Sequence, residues 1–276
     1  MPATAISAAK ERPPSRAHRT YFTFAIACIS RYMILRDRVF GLSKKGRQPV
    51  GISERALRHT IPSAGSSLDA VFVEPVSFPA HAAVLLCHGI GETVEQWFGV
   101  QQLLAANGVA SLVFDYSGYG NSTGRPDWDQ FEQDAVAAFA ALRDHAPDLP
   151  VSVLGFSLGS GVATAVIHQL NAHRLILCEA FTSFRGAATA AWIPKGLTHL
   201  VPPIWHAQQP LADCCVPVLI VHGEKDRLFP ARMAHELAGW CSPAAEIQLI
   251  PGTSHNQPFR RPHLNYWGPI VAWLGK

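Results

Sequence analysis

Charge is scarce in this 276-residue sequence: Asp, Glu, Lys and Arg make up 16% against 48% apolar residues. That balance excludes a largely disordered chain and supports a sizeable core. Cysteine is scarce too, with six residues: Cys28, Cys87, Cys178, Cys214, Cys215 and Cys241. They form no CxxC pair, and no Cys/His spacing suits zinc. Cys214 and Cys215 are adjacent, which is awkward for a disulfide framework. Cys87 and Cys178 stand in apolar, strand-like runs, where a free thiol behaves as a small hydrophobe. Reduced cysteines, a cytoplasmic setting and no metal are therefore expected. Internal repeats and heptads are also missing, which argues against a solenoid or a coiled coil. The apolar run at residues 21–35 is interrupted by Ser30 and Arg31 and falls short of the roughly 20 residues a spanning helix needs. It is no better as a signal peptide: Ala25-Ile26-Ala27 resembles a cleavage site, but only four apolar-stretch residues precede it.

The net charge of +3 conceals an asymmetry. Residues 1–50 hold ten Lys/Arg and two Asp/Glu, whereas residues 51–276 hold thirteen and eighteen. The chain thus divides into a basic N-terminal arm, 1–50, and a mildly acidic body, 51–276, joined through the polar stretch 41–54. Such an arm suits a solvated leader or peripheral association of residues 1–40 with an anionic membrane surface. Nucleic acid is not an expected partner, because the basic residues lie outside any recognisable reader motif. The oligomeric state is not encoded in any feature of this sequence.

In the body, apolar strand-like runs alternate with helical patterns. Strands are expected at 57–61, 68–73, 82–87, 110–114, 151–156, 174–177, 218–221 and 245–250. Helices are expected at 95–106, 127–145, 158–170, 231–240 and 266–274. AAVLLC at 82–87 is continuously apolar, as in a strand buried on both faces. The alternation implies βαβ units and a mainly parallel sheet, whose ligand site lies at the carboxyl ends of the strands. Residues 181–214 break the rhythm with Trp192, Pro194, Pro202, Pro203 and Trp205. A segment of that length inside a compact domain reads as a lid.

Polar residues just after strands carry the chemistry. Gly155-Phe156-Ser157-Leu158-Gly159 is a G-x-S-x-G sequence between a buried strand and a helix, the context of a nucleophile elbow. A serine hydroxyl needs a general base in reach, and that base needs an orienting acid. His255 follows the last expected strand and Asp226 the one before, giving the chain order Ser, Asp, His. Glu179 and Glu224 are rival acids, and His88 and His222 read as structural. His88-Gly89-Ile90-Gly91-Glu92 follows the AAVLLC strand, where a turn can aim an amide at a developing oxyanion. Ile90 and Leu158 are the expected donors. Phe156, Trp192 and Trp205 flank the elbow or lie in the lid, and are expected to line an apolar acyl pocket.

These pieces resemble the α/β-hydrolase fold, and within it the serine hydrolases. The resemblance rests on HGIGE, DYSGYGNSTG (115–124), GFSLGSG, FTSF (181–184), VPVLIVHGEKDRLFP and the His of GTSH, in the family's order over about residues 65–275. HGIGE looks like the oxyanion loop of monoacylglycerol lipases and lysophospholipases. DYSGYGNSTG and FTSF look more like membrane-associated hydrolases that include depalmitoylating enzymes. The resemblance implies a mostly parallel sheet flanked by helices, with 181–214 as a short cap. It also implies hydrolysis of a carboxylic ester or thioester of a small-molecule or lipid-like acyl substrate, with no cofactor. In the family Asp115–Gly124 is a structural loop, so Asp115 is not placed in the triad. Amide cleavage and acyl transfer share the same triad, and a non-catalytic binding module is the alternative of another class.

Overall fold

A computed structural model describes residues 56–75, 78–190, 198 and 201–276. The basic arm, its apolar run at 21–35, Cys28 and Trp192 lie outside the described residues. The eight strands are β1 (Ala56–Ser63), β2 (Ser66–Val73), β3 (Ala82–Cys87), β4 (Val109–Phe114), β5 (Val151–Phe156), β6 (Leu175–Cys178), β7 (Val218–Gly223) and β8 (Glu246–Ile250). They form one sheet in the order β1-β2-β4-β3-β5-β6-β7-β8. β1 pairs antiparallel with β2 and β2 antiparallel with β4, while every other pairing is parallel. This is the α/β-hydrolase fold that the sequence implies.

The strand parity explains how one apolar run serves two layers. Ala83, Leu85, Leu112, Val153, Leu177 and Ile220 point to one face. There they pack under α2 (Trp128–His145) and α3 (Leu158–Val166). Val84, Leu86, Val113, Leu154, Ile176 and Leu219 point to the other. There they pack under α1 (Val94–Ala106) and, later in the chain, the C-terminal helix Leu264–Leu274. Successive side chains of a strand face opposite ways, so a strand covered on both sides must be apolar throughout.

Helix ends follow local chemistry. Asp127 caps α2 by accepting from the Asp129 amide at 3.1 Å. Gln96 accepts from the Thr93 amide at 2.9 Å at the start of α1. The helix expected to run to residue 170 ends at Val166 and tightens into a 3-10 turn, Ile167–Gln169. Within 181–214 the described residues include α4 (Phe184–Ala190) and α5 (Gln208–Ala212) rather than loop alone. After β7 come α6 (Arg232–Trp240), α7 (Gln257–Arg260) and α8 (Leu264–Leu274). Cys87, Cys178, Cys214, Cys215 and Cys241 are free thiols. Among the described residues, no helix is long and apolar enough to cross a membrane.

Candidate active site

Loops from β3, β5, β6, β7 and β8 meet at the carboxyl ends of the parallel strands. Ser157 stands between β5 and α3 with φ 51° and ψ −116°. A non-glycine residue at positive φ is strained, and strain of this kind gathers at functional turns. The flanking glycines are what let the turn close. A Cβ on Gly155 would lie 2.3 Å from the Gly159 carbonyl oxygen. One on Gly159 would lie 1.9 Å from the Cys87 carbonyl oxygen and 2.8 Å from that of His88. The elbow is therefore pressed against the end of β3, and the Ser157 amide donates to the Cys178 carbonyl at 3.0 Å to tie it to β6.

Asp226 follows β7 in a tight turn, its amide bonded to the Gly223 carbonyl at 3.0 Å. One carboxylate oxygen, Oδ1, accepts from the amides of Leu228 at 2.7 Å and Phe229 at 2.9 Å. The other, Oδ2, lies 2.7 Å from His255 Nδ1, and His255 Nε2 lies 3.0 Å from Ser157 Oγ. The loop carrying His255 is fastened to the Asp226 turn, because Lys225 donates its amide to the Thr253 carbonyl at 2.9 Å. The imidazole lies between the rings of Phe156 and Phe229, at centroid distances of 5.6 and 5.1 Å. Burial alone would raise the Asp226 carboxyl. The hydrogen bond and charge of His255, with help from Glu179 and the Phe229 amide, outweigh burial and hold it below the usual range.

The rival acids are placed elsewhere in this chemistry. Glu224 is exposed. Glu179 is buried at the end of β6, and burial together with the Asp226 carboxylate pushes it up to about 9. It is a neutral acid at pH 7 and so carries no charge with which to orient an imidazole. His88 and His222 are both buried. His88 Nδ1 pairs with the Gly89 carbonyl at 2.8 Å, and burial lowers this group to about 4. His222 Nε2 lies 2.8 Å from the Phe229 carbonyl oxygen, which requires a hydrogen on that nitrogen.

That tautomer also decides the metal question for the one described cluster with suitable atoms, Glu179, His222 and Asp226, which lie within 4.8 Å of one another. The His222 nitrogen facing the two acids is a donor and has no lone pair to offer. Both Asp226 oxygens are already committed to hydrogen bonds. The donor set does not fit a cation.

The loop after β3 is built around Glu92, the acid of HGIGE, for which nothing in the sequence alone indicates a role. Its Oε2 accepts from the Gly89 amide at 2.7 Å and from Trp97 Nε1 at 2.8 Å. Burial raises this carboxyl to about 7. A Cβ on Gly89 would meet Glu92 Oε1 at 2.5 Å, so a larger residue there would displace the Glu92 carboxyl. Ile90, half-buried, packs on the core cluster that also holds Leu158. Leu158 opens α3, whose first amides have no acceptor within the helix.

The pocket expectation needs correction. Phe156 is fully buried among Trp97, Phe259 and the His255 ring. It shares the strand face of Leu154, so it packs under the base instead of lining an opening. Trp205 is buried in the opposite core cluster, where its indole N–H donates to Glu132 at 2.9 Å and its ring meets Phe184. Trp192 lies outside the described residues.

Residues 82–191 match the family described as the alpha/beta hydrolase fold. An uncharacterised protein of Mycobacterium tuberculosis is 31% identical over 180 residues, covering 64% of this chain and 63% of that protein. A lysophosphatidylserine lipase of Mus musculus is 27% identical over 240 residues, covering 75% of this chain and 60% of that protein. The chain thus spans under two thirds of the length of these relatives. The solved structure of a Pyrococcus furiosus esterase superposes with a TM-score of 0.67 at 16% identity, over 84% of this chain and 98% of that one.

Proposed function

We propose that this chain, with its α/β-hydrolase fold, is a serine hydrolase of carboxylic esters, working through an acyl-enzyme on Ser157, His255 and Asp226. The observation that carries the reading is the unbroken contact from Ser157 Oγ to His255 Nε2 at 3.0 Å and from His255 Nδ1 to Asp226 Oδ2 at 2.7 Å. Asp226 fixes the tautomer that leaves Nε2 free to accept a proton. Ser157 Oγ attacks the acyl carbonyl as His255 takes its proton, and the oxygen becomes an oxyanion. The amides of Ile90 and Leu158 receive that charge, the latter favoured by the helix N-terminus behind it. Each such donor is worth on the order of 3 kcal/mol of barrier. The tetrahedral species collapses, His255 gives its proton to the leaving alcohol, and the acyl group stays on Ser157. Water then attacks the acyl-enzyme with His255 as base again, releasing the acid.

The name of the mouse relative, a lysophosphatidylserine lipase, supports a lipid-like acyl ester as the substrate class. A thioester would be attacked in the same way.

The test compares wild type with Ser157→Ala on a panel of p-nitrophenyl esters of increasing chain length, an acyl thioester and an aminoacyl amide. Ester hydrolysis by wild type, lost to background in Ser157→Ala with an unchanged melting temperature, is the expected result. Ester hydrolysis retained by Ser157→Ala would contradict the assignment.

A further inference from the structure

Beneath the Ser157–His255–Asp226 contact lies a second carboxyl that this mechanism leaves unused. Glu179 ends β6 with φ 46°, a left-handed conformation that a non-glycine residue adopts at a cost. That conformation directs its side chain inward to the turn holding Asp226. Glu179 Oε1 accepts from the Gly223 amide at 2.9 Å, in the turn that leads to Asp226. Oε2 is buried and has no hydrogen-bond partner among the described residues. It lies 3.7 Å from His222 Nε2, which in turn lies 3.5 Å from Asp226 Oδ2.

Two buried carboxyls within 4.8 Å of one another cannot both carry charge at neutral pH. Asp226 has the stronger claim to the charge. It takes two backbone amides on one oxygen and His255 on the other, while Glu179 has one amide. The shared proton therefore belongs to Glu179, on the oxygen left without a donor.

We propose that Glu179 is a positioning residue for the active site, an acid that stays protonated at neutral pH with its Oε2–H directed at the Asp226 carboxylate. This inference rests on the triad reading above. The neutral acid supplies a hydrogen bond to Asp226 without adding a second negative charge beside it. Asp226 is thus held from β6 as well as from its own turn, with its charge kept for His255.

Three other titratable groups face Glu179. His222 lies at the end of β7, Cys178 precedes Glu179 on β6, and Tyr266 comes from α8. Burial lowers His222, and burial raises both the Cys178 thiol and the Tyr266 hydroxyl above their ordinary values, so none of the three gains charge between pH 7 and 9. Glu179 itself is pushed up to about 9, first by burial and then by Asp226.

The experiment is the pH profile of kcat/KM for p-nitrophenyl butyrate in wild type, Glu179→Gln and Glu179→Leu. Glutamine keeps the size, the acceptor for Gly223 and a donor for Asp226, and cannot ionise. Glu179→Gln should match wild type within about threefold at pH 7, and Glu179→Leu should lose about tenfold or more in kcat at unchanged KM. Above pH 9 wild type should lose activity as Glu179 ionises beside Asp226, and Glu179→Gln should stay level. Superimposable alkaline limbs in wild type and Glu179→Gln would overturn the proposal, as would a loss in Glu179→Gln equal to that in Glu179→Leu. If Glu179→Leu does not fold, the Glu179→Gln profile decides alone. Wild type that hydrolyses no ester would remove the triad reading itself, a result distinct from either of these.

Discussion

Ser157, His255 and Asp226 lie 98 and 29 residues apart along the chain, and each is held by backbone that has little freedom to shift. Asp226 contributes by charge and by geometry together. It is fully buried as a side chain, and its three hydrogen bonds of 2.7–2.9 Å leave it a single orientation. Replacing it with Asn keeps the shape but removes the charge and puts an amide N–H in competition for His255 Nδ1. Asp226→Asn should therefore cut kcat for an ester on the order of 10⁴-fold while leaving KM within a few-fold. A loss below tenfold, measured on folded protein, would mean that Asp226 does not orient the base. The expectation that Phe156 lines a pocket also failed at this scale. Phe156 and Ser157 are neighbours in sequence, but strand parity sends Phe156 to the face of Leu154 and into the core. Adjacency gives no direction, and a burial-minded reading of 152, 154 and 156 as one face would have found it.

At the scale of elements, β3 was legible because a strand covered on both faces is apolar at every position, and β5 and β7 because all but Ser152 and His222 of their side-chain-bearing residues are apolar. The elements inside 181–214 were not. FRGAATA and QQPLA are short and carry almost no apolar periodicity, so nothing local marks them as helices. The work of Glu92 was hidden for another reason: its partners are one amide three residues back and one indole five residues ahead, a loop closure no periodicity records. Its buried carboxyl has a linkage consequence. The folded value of about 7 lies above the ordinary 4.5, so the folded state binds this proton more tightly than the unfolded state. The group therefore costs stability as pH rises from about 4.5 to 7, and the full cost is present above that. Glu92→Gln keeps an oxygen for Gly89 and Trp97 and removes the titration. The unfolding free energy of Glu92→Gln minus that of wild type, from denaturant titrations, should rise from pH 4.5 to 7 and then level, by on the order of 3 kcal/mol at the plateau. A difference independent of pH would show that Glu92 is not the buried acid described.

For the whole molecule, the sheet acts as a bench that brings loops from β3, β5, β6, β7 and β8 to one edge. The fold was readable because each motif keeps its place after a strand, and strand order then does the rest. Glu179 was readable as an acid at the right edge but not as a neutral one, since its protonation follows from what surrounds it in space. The basic arm and the run at 21–35 lie outside the described residues.

The central claim is that Ser157 is an activated nucleophile in the folded chain. Intact mass after exposure to a serine-reactive fluorophosphonate, with the adduct mapped by peptide, tests it most directly. A single adduct on the peptide containing Ser157, absent from Ser157→Ala and slowed in Asp226→Asn, is the predicted result. Folded wild-type protein that takes up no adduct, or takes it up on another serine, would contradict the account.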